Sequence, residues 1–332
     1  MKTKKILFTT SLTAIAVIAL LFASCKKNSP ATPATSTDDT QQQETSAQDQ
    51  KNVQNESDGA VDDANTAMGT SVTVNGKAES ALYTIITLCG ATIDSSVISK
   101  GELSITYTGK NCAGTKLRSG NITISLPYDS IAAPGHKITR WRTPGCIMTL
   151  TFNQYKVTYL TGADSGKYLI LNGSKTITNI KGTAPIDWIL HPADSVITTI
   201  AGTLSITFDD GTVRSWQTNR TRTLTYTPGA APVITAQLKG NGSAGGYNNL
   251  IFWGTDRANE TFYTNVSVPV VATSACLFLP SSGVITQYAT RALTITYGVD
   301  INGNSVTTGC AYGYKLNWTN AAGTAKQVIR RY

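Results

Sequence analysis

From Ser71 onward the chain alternates apolar and polar residues with a period of two, the pattern of strands that bury one face and wet the other. The clearest runs are Leu103-Ser-Ile-Thr-Tyr107, Ile122-Thr-Ile-Ser-Leu126, Met148-Thr-Leu-Thr-Phe152, Leu204-Ser-Ile-Thr-Phe208 and Leu293-Thr-Ile-Thr-Tyr297. Thr recurs at the outward positions, where a β-branched side chain suits a pleated surface. Between the runs, Asn75-Gly76, Asn172-Gly173, Asp210-Gly211 and Asn302-Gly303 supply the positive φ of tight hairpins. No helical pattern of about 10 to 15 residues separates them, as a parallel sheet would require, so the pattern predicts an all-β fold of antiparallel strands. A stretch with Pro185, Trp188, His191 and Pro192 breaks the rhythm. It sets a soft boundary between a first β domain over 67–192 and a second over 193–332. The body then reads either as two β-sandwich-like domains or as one elongated tandem β body.

The amino terminus has a different character. Lys2, Lys4 and Lys5 precede an apolar stretch from Ile6 to Phe22, then Ala23, Ser24 and Cys25, the layout of a secretory signal. Phe22-Ala23-Ser24-Cys25 resembles a lipobox, with Phe22 standing where Leu is commoner. That resemblance implies a signal peptide over 1–24 and a mature chain that begins at a lipidated Cys25. More than one acyl chain would make such an anchor stable. Residues 25–66 are expected to form a disordered tether, because the stretch has no aromatic residue and almost no branched apolar one to offset the entropy of ordering. Within it, Gly59 to Met68 is expected to form one short Ala-containing helix leading into the body.

Charge separates the same two regions. The 332 residues carry +8 with only 14% charged residues, against roughly 25% in ordinary soluble domains. Residues 26–66 hold 8 acids and 3 bases, whereas residues 67–332 hold 22 bases and 12 acids. An acidic segment therefore precedes a basic body, in which Thr takes the outward positions that charges usually fill.

Five cysteines follow Cys25. A likeness between the two halves, in which Cys89 and Cys112 flank Leu103–Tyr107 while Cys276 and Cys310 flank Leu293–Tyr297, suggests a duplicated unit. It would pair Cys89 with Cys112 and Cys276 with Cys310. The alternative is a set of buried thiols, since sequence cannot fix connectivity. Cys146 is left as a buried side chain at a strand start.

Candidate chemistry is sparse, and no catalytic residue, metal site or cofactor is assigned. Asp187, His191, Asp194 and Ser195 lie close in sequence but in a Pro-broken loop, a poor setting for an acid, base and nucleophile. The most suggestive segment is Phe252 to Glu260, where Asp256 and Glu260 flank Arg257 beside Trp253, as two carboxylates and an aromatic platform would in a glycan hydrolase. Its bland counterpart is a salt-bridged loop. Arg220 and Arg222, two apart on a strand, would point to one face and could hold an anionic polymer. Arg330-Arg331-Tyr332 is a further basic cluster. Asp129-Ser130-Ile131 and Asp194-Ser195-Val196 resemble an O-glycosylation signal, making Ser130 and Ser195 candidates.

Cys112 through Leu126, Phe152 to Val157, Asn172 to Ile177 and the closing stretch from Cys276 to Cys310 together resemble a family of Bacteroidetes-type cell-envelope lipoproteins. The resemblance implies an outer-membrane, lipid-anchored β protein and brings no site residues. The expected function is non-catalytic binding or adhesion, toward carbohydrate or another anionic envelope polymer. The alternatives are a glycan-active hydrolase using the carboxylates near Trp253 and a structural subunit of an envelope assembly. The expected partners are the membrane, through the anchor, and an anionic glycan or envelope protein; nucleic acid is not expected.

Overall fold

The computed structural model describes residues 39–70, 88–129, 131–132, 138–162, 164–257 and 259–332. The period-two runs are strands, and every strand pairing is antiparallel. In chain order they are β1 (Ala91–Asp94), β2 (Glu102–Tyr107), β3 (Lys116–Ser125), β4 (Cys146–Tyr159), β5 (Tyr168–Asn179), β6 (Val196–Phe208), β7 (Val213–Thr227) and β8 (Val233–Gly240). They continue as β9 (Gly242–Ala244), β10 (Tyr247–Thr255), β11 (Thr261–Thr273), β12 (Pro280–Tyr288), β13 (Leu293–Val299), β14 (Gly313–Thr319) and β15 (Ala325–Arg331).

Chain neighbours are sheet neighbours from β1 to β7 and again from β10 to β15, and a fork joins the two runs because β8 and β10 each pair with both β7 and β11. Alternation puts Met148, Leu150 and Phe152 of β4 in the core and Thr149 and Thr151 on the outer face. A bulge at Gln154 bends β4 opposite Gly120. Gly120 has φ 95°, and a Cβ there would lie 2.1 Å from the Gln154 carbonyl oxygen, so only glycine permits this close approach.

The sheet does not divide near residue 193. β5 and β6 pair without interruption from Leu169 opposite Phe208 to Asn179 opposite Thr198, and the described residues form one compact unit. The Pro-rich break is a connecting loop with a 3-10 turn, Pro185–Ile189, whose Trp188 stacks on Tyr226 at 5.4 Å. A loop that returns to the same sheet interrupts the pattern without ending the domain. Of the two architectures expected, the single tandem body matches this arrangement.

The larger departure is α1 (Thr40–Thr70), a 31-residue helix where a tether was expected over most of 40–66. At 1.5 Å per residue it is roughly 46 Å long. Cys25 and the rest of the expected tether before Asp39 lie outside the described residues. Isolated, a helix rich in Asn, Asp, Ser and Thr has little propensity, and tertiary packing must hold it. Ala47, Val53, Ser57, Ala60, Val61, Ala64 and Ala67, at helical spacing, are buried against the sheet, with all but Ala47 fully so. These residues are small because the inner wall is large: Tyr107, Tyr155, Trp216, Phe252 and Phe262 fill the space opposite them. The exposed positions Gln41, Gln42, Thr45, Asn55, Gly59 and Asp62 leave one side of the helix to solvent.

Ion pairs complete the docking. Glu56 accepts from Lys116 at 2.7 Å, Asp63 from Arg118 at 2.6 Å, Asp62 from Arg222 at 2.8 Å and Asp49 from Arg257 at 2.7 Å. Asp39, Glu44 and Asp58 pair with Arg291, Arg330 and Arg220. The acidic segment and the basic body seen in the sequence are thus the two halves of one internal interface.

Both disulfides form, Cys89–Cys112 and Cys276–Cys310. Each joins the residues just outside the open end of a hairpin, β1–β2 in one case and β12–β13 in the other, so the likeness between the halves extends to topology. Loops of 23 and 34 residues give about 3.5 kcal/mol of stabilisation each by the chain-entropy relation. Cys146 is free and buried at the start of β4.

Removing one partner of a buried charge leaves the other uncompensated. Arg220 has no solvent exposure, so Asp58→Ala is expected to destabilise the fold by about 3 kcal/mol in urea denaturation. Glu44→Gln, at the more exposed Arg330 pair, is expected to cost under about 1 kcal/mol. Equal effects would contradict a helix docked by these pairs.

Candidate binding site

The candidate residues fall on different faces of the sheet. Arg220 and Arg222 do share one face, as their spacing requires, but it is the inner face, where Asp58 and Asp62 take them up. Trp253 belongs to the outer face. It pairs in register with Gln217 on one side and Tyr263 on the other, while its neighbour Phe252 points into the core. The start of β9 passes over the indole so closely that a Cβ at Gly242 would lie 2.4 Å from the ring. Tyr247 stacks on Tyr288 at 4.3 Å beside it. Trp253 is therefore part of a covered aromatic cluster, on the opposite side of the sheet from the arginine pair.

Asp256, Arg257 and Glu260 form the turn between β10 and β11. The Glu260 backbone N–H donates to Asp256 Oδ1 at 2.9 Å, and Asp256 N–H donates to the Glu260 carbonyl at 2.9 Å, so this carboxylate closes the turn. Asp256 and Glu260 also line a cavity of about 90 Å³ with Gln43, Ser46 and Arg291. A sugar needs a pocket of roughly 300 Å³ or more, so these carboxylates do not flank a substrate-sized space. Arg257 reaches the helix: Nε and Nη2 donate to Asp49 at 2.7 and 3.0 Å, Nη1 donates to Asp210 at 2.5 Å, and the guanidinium lies 3.9 Å from the Phe208 ring centre.

Ser195 accepts from Lys181 Nζ at 2.9 Å, while Asp187 pairs with Arg142 and accepts from the Ala184 N–H at 2.8 Å. Those contacts hold the loop closed and give Asp187 and Ser195 structural partners. Ser130 and Cys25 lie outside the described residues.

A larger cavity, about 330 Å³, opens beside the exposed side of α1. Its walls come from distant parts of the sheet path: Tyr168 and Phe208 at β5 and β6, Tyr314 and Arg330 at β14 and β15, with Arg257 at one end. Only a sheet that curls around the helix brings these strands together. Asp164 anchors one wall, accepting from Gln48 Nε2 at 2.8 Å, Asn52 Nδ2 at 3.0 Å and Lys167 Nζ at 3.0 Å. Lys156 Nζ sits 3.9 Å from the Tyr168 ring centre. The wall carries as many acids as bases and most are paired, Arg330 with Glu44 and Arg257 with Asp49, so the cavity combines aromatic faces with oriented polar groups and little net charge. Tyr168 and Tyr314 were not marked as site residues in the sequence, because nothing local sets them apart from other inward or rim tyrosines.

Comparison with known proteins returns no matching family model, and no curated protein or solved structure of significant similarity.

The carboxylates around the helix make the fold sensitive to acid. Burial acts to raise the Asp39 carboxyl, but hydrogen bonds from Trp318 and Arg291 outweigh it and hold the group below its ordinary 3.8. Asp164 is likewise held down, burial being outweighed by Asn52, Lys167 and Gln48. A carboxyl depressed in the folded state adds stability above its unfolded value, and that stability is lost as pH falls through the folded value. Urea midpoints are expected to drop as pH falls below about 3.8, and to drop less steeply in Asp164→Asn. Parallel profiles for the two proteins would contradict the assignment.

Proposed function

We propose that the protein is an outer-membrane-anchored lipoprotein whose β body binds carbohydrate without catalysis, in the cavity between α1 and the β5–β6 and β14–β15 walls. The observation that carries this reading is the composition of that cavity: Tyr168, Tyr314 and Phe208 rings beside Asp164, Arg257 and Arg330, whose polar atoms are fixed by neighbours. Sugars present apolar C–H faces and planar sets of hydroxyl groups, and such a lining offers a partner for each. Because the charges lining the cavity balance, a neutral glycan suits it better than an anionic polymer. The hydrolase reading has no support from the carboxylates near Trp253, of which Asp256 closes a turn. A structural role in an assembly is not favoured by any specific contact.

Membrane attachment rests on Cys25. Fourteen residues, 26–39, separate it from the first residue of α1, and their full extension is at most about 50 Å. The body would therefore work close to the bilayer. Cys25→Ala is expected to move the protein from the membrane to the soluble fraction and abolish palmitate labelling; retention of label would contradict the anchor.

Glycan binding is tested by screening neutral and acidic oligosaccharides by calorimetry and repeating any hit with Tyr168→Ala and Tyr314→Ala. Loss of at least tenfold in affinity is the expected outcome, with an unchanged melting temperature for Tyr168→Ala and a lowered one for Tyr314→Ala, whose ring is also packed in the core. Unchanged affinity in both variants, or release of hydrolysed product, would overturn the proposal.

A further inference from the structure

The interior holds more hydrogen-bond donors than acceptors. Ten buried side-chain nitrogen and oxygen atoms have no partner among the described residues, and nine of them are N–H groups. Three of them belong to two residues that share one place on the inner face. Lys175 of β5 and Arg220 of β7 have no solvent exposure. In register, Lys175 stands opposite Gly202 of β6, and Gly202 stands opposite Thr218, two residues before Arg220. A side chain at Gly202 would come within 3.1 Å of Lys175 Cγ, so its absence leaves the lysine room to lie across the strand. Lys175 Nζ lies 4.8 Å from the Trp216 ring centre and makes no hydrogen bond.

Arg220 gives only Nη2 to Asp58, leaving Nε and Nη1 unpaired. The next inward cation, Arg222, is matched by Asp62. Asp58 and Asp62, which pair with Arg220 and Arg222, are themselves partly open to solvent, so the wholly buried Lys175 has no counter-charge of its own. A buried charge without a counter-charge costs several kcal/mol, and unmatched donors add to that cost. A water molecule would accept from some of these donors but would bring two more of its own. An anion supplies both the acceptor and the missing charge.

We propose that one inorganic anion of halide size binds between Lys175 Nζ and the Nε and Nη1 atoms of Arg220, beneath α1. Neither residue reaches solvent, so a phosphate or sulfate carried on a glycan has no path to them. Burial, and then the neighbouring Arg220, lowers the Lys175 ammonium to about 7, and an anion in contact would keep it charged. The site is separate from the glycan cavity and does not depend on it, since neither residue lines that cavity.

The test uses the full mature chain. Crystals grown in sodium bromide are expected to show an anomalous peak at the bromine edge within hydrogen-bonding reach of Lys175 Nζ and Arg220. Melting temperature, followed as sodium chloride replaces sodium gluconate at constant ionic strength, is expected to rise and saturate in the wild type and to be flat in Lys175→Met. No peak between the two side chains would overturn the proposal. So would a peak accompanied by a chloride-independent wild-type melt, which marks an adventitious ion only. Both wild-type readouts stand even if Lys175→Met fails to fold.

Discussion

Each acidic side chain from Asp39 to Asp63 that the structure describes meets a cation from a different part of the sheet path, from Lys116 and Arg118 on β3 to Arg330 on β15. The rest of the fold depends on that match. The helix alone carries closely spaced carboxylates, and the body alone carries a large excess of bases, so each repels itself when apart. Brought together, the two neutralise much of that charge. Single exposed pairs contribute little, but Arg220 is wholly buried and its neighbours are shielded, so the loss of one carboxylate leaves a cation without compensation. The same match explains how a sequence with weak helix propensity sustains 31 helical residues, because the wall provides partners that water alone would not.

This interface also determines what the protein has available for binding. Arginines engaged with α1 are not free to recruit an external anionic polymer, which removes Arg220 and Arg222 as an outer binding row. Curling around the helix brings β5 and β6 toward β14 and β15 and leaves a cavity over the exposed side of the helix. The proposal of a neutral, hydroxyl-rich ligand rests on the aromatic faces and balanced charges of that cavity. The outer face, by contrast, presents Thr with a covered Trp253 cluster and serves mainly to hold the β9–β10 turn in place.

Strands were legible because Leu103, Ile105, Ile122 and Ile124 alternate with polar residues that leave only one consistent face to bury. The cysteine pairing was legible because the flanking strand motif repeats. Of the helix, the Ala-containing stretch from Gly59 to Met68 was legible and the rest was not, since its buried residues are Ala, Ser and Val among Asn, Gln and Asp, and hydrophobicity carries little signal when the partner wall supplies the bulk. A clue did exist in the opposed charges of 26–66 and 67–332, which suit an internal interface as well as a stalk beneath a body. Spacing put Arg220 and Arg222 on one face but could not say which, because on this sheet both faces carry polar residues. The cavity was illegible for a different reason: Tyr168, Phe208 and Tyr314 are far apart in sequence and meet only through the curl of the sheet.

The central claim is that α1 is an integral part of the folded body. Hydrogen exchange on the full chain, read by peptide over 50–67 and over β7, tests it most directly. If the helix is docked through its ion pairs, amides from Val53 to Ala67 exchange as slowly as those of Trp216 to Arg220, and both are released together by Asp58→Ala. Exchange over 53–67 within seconds, while β7 remains protected, would show a segment that does not belong to the fold.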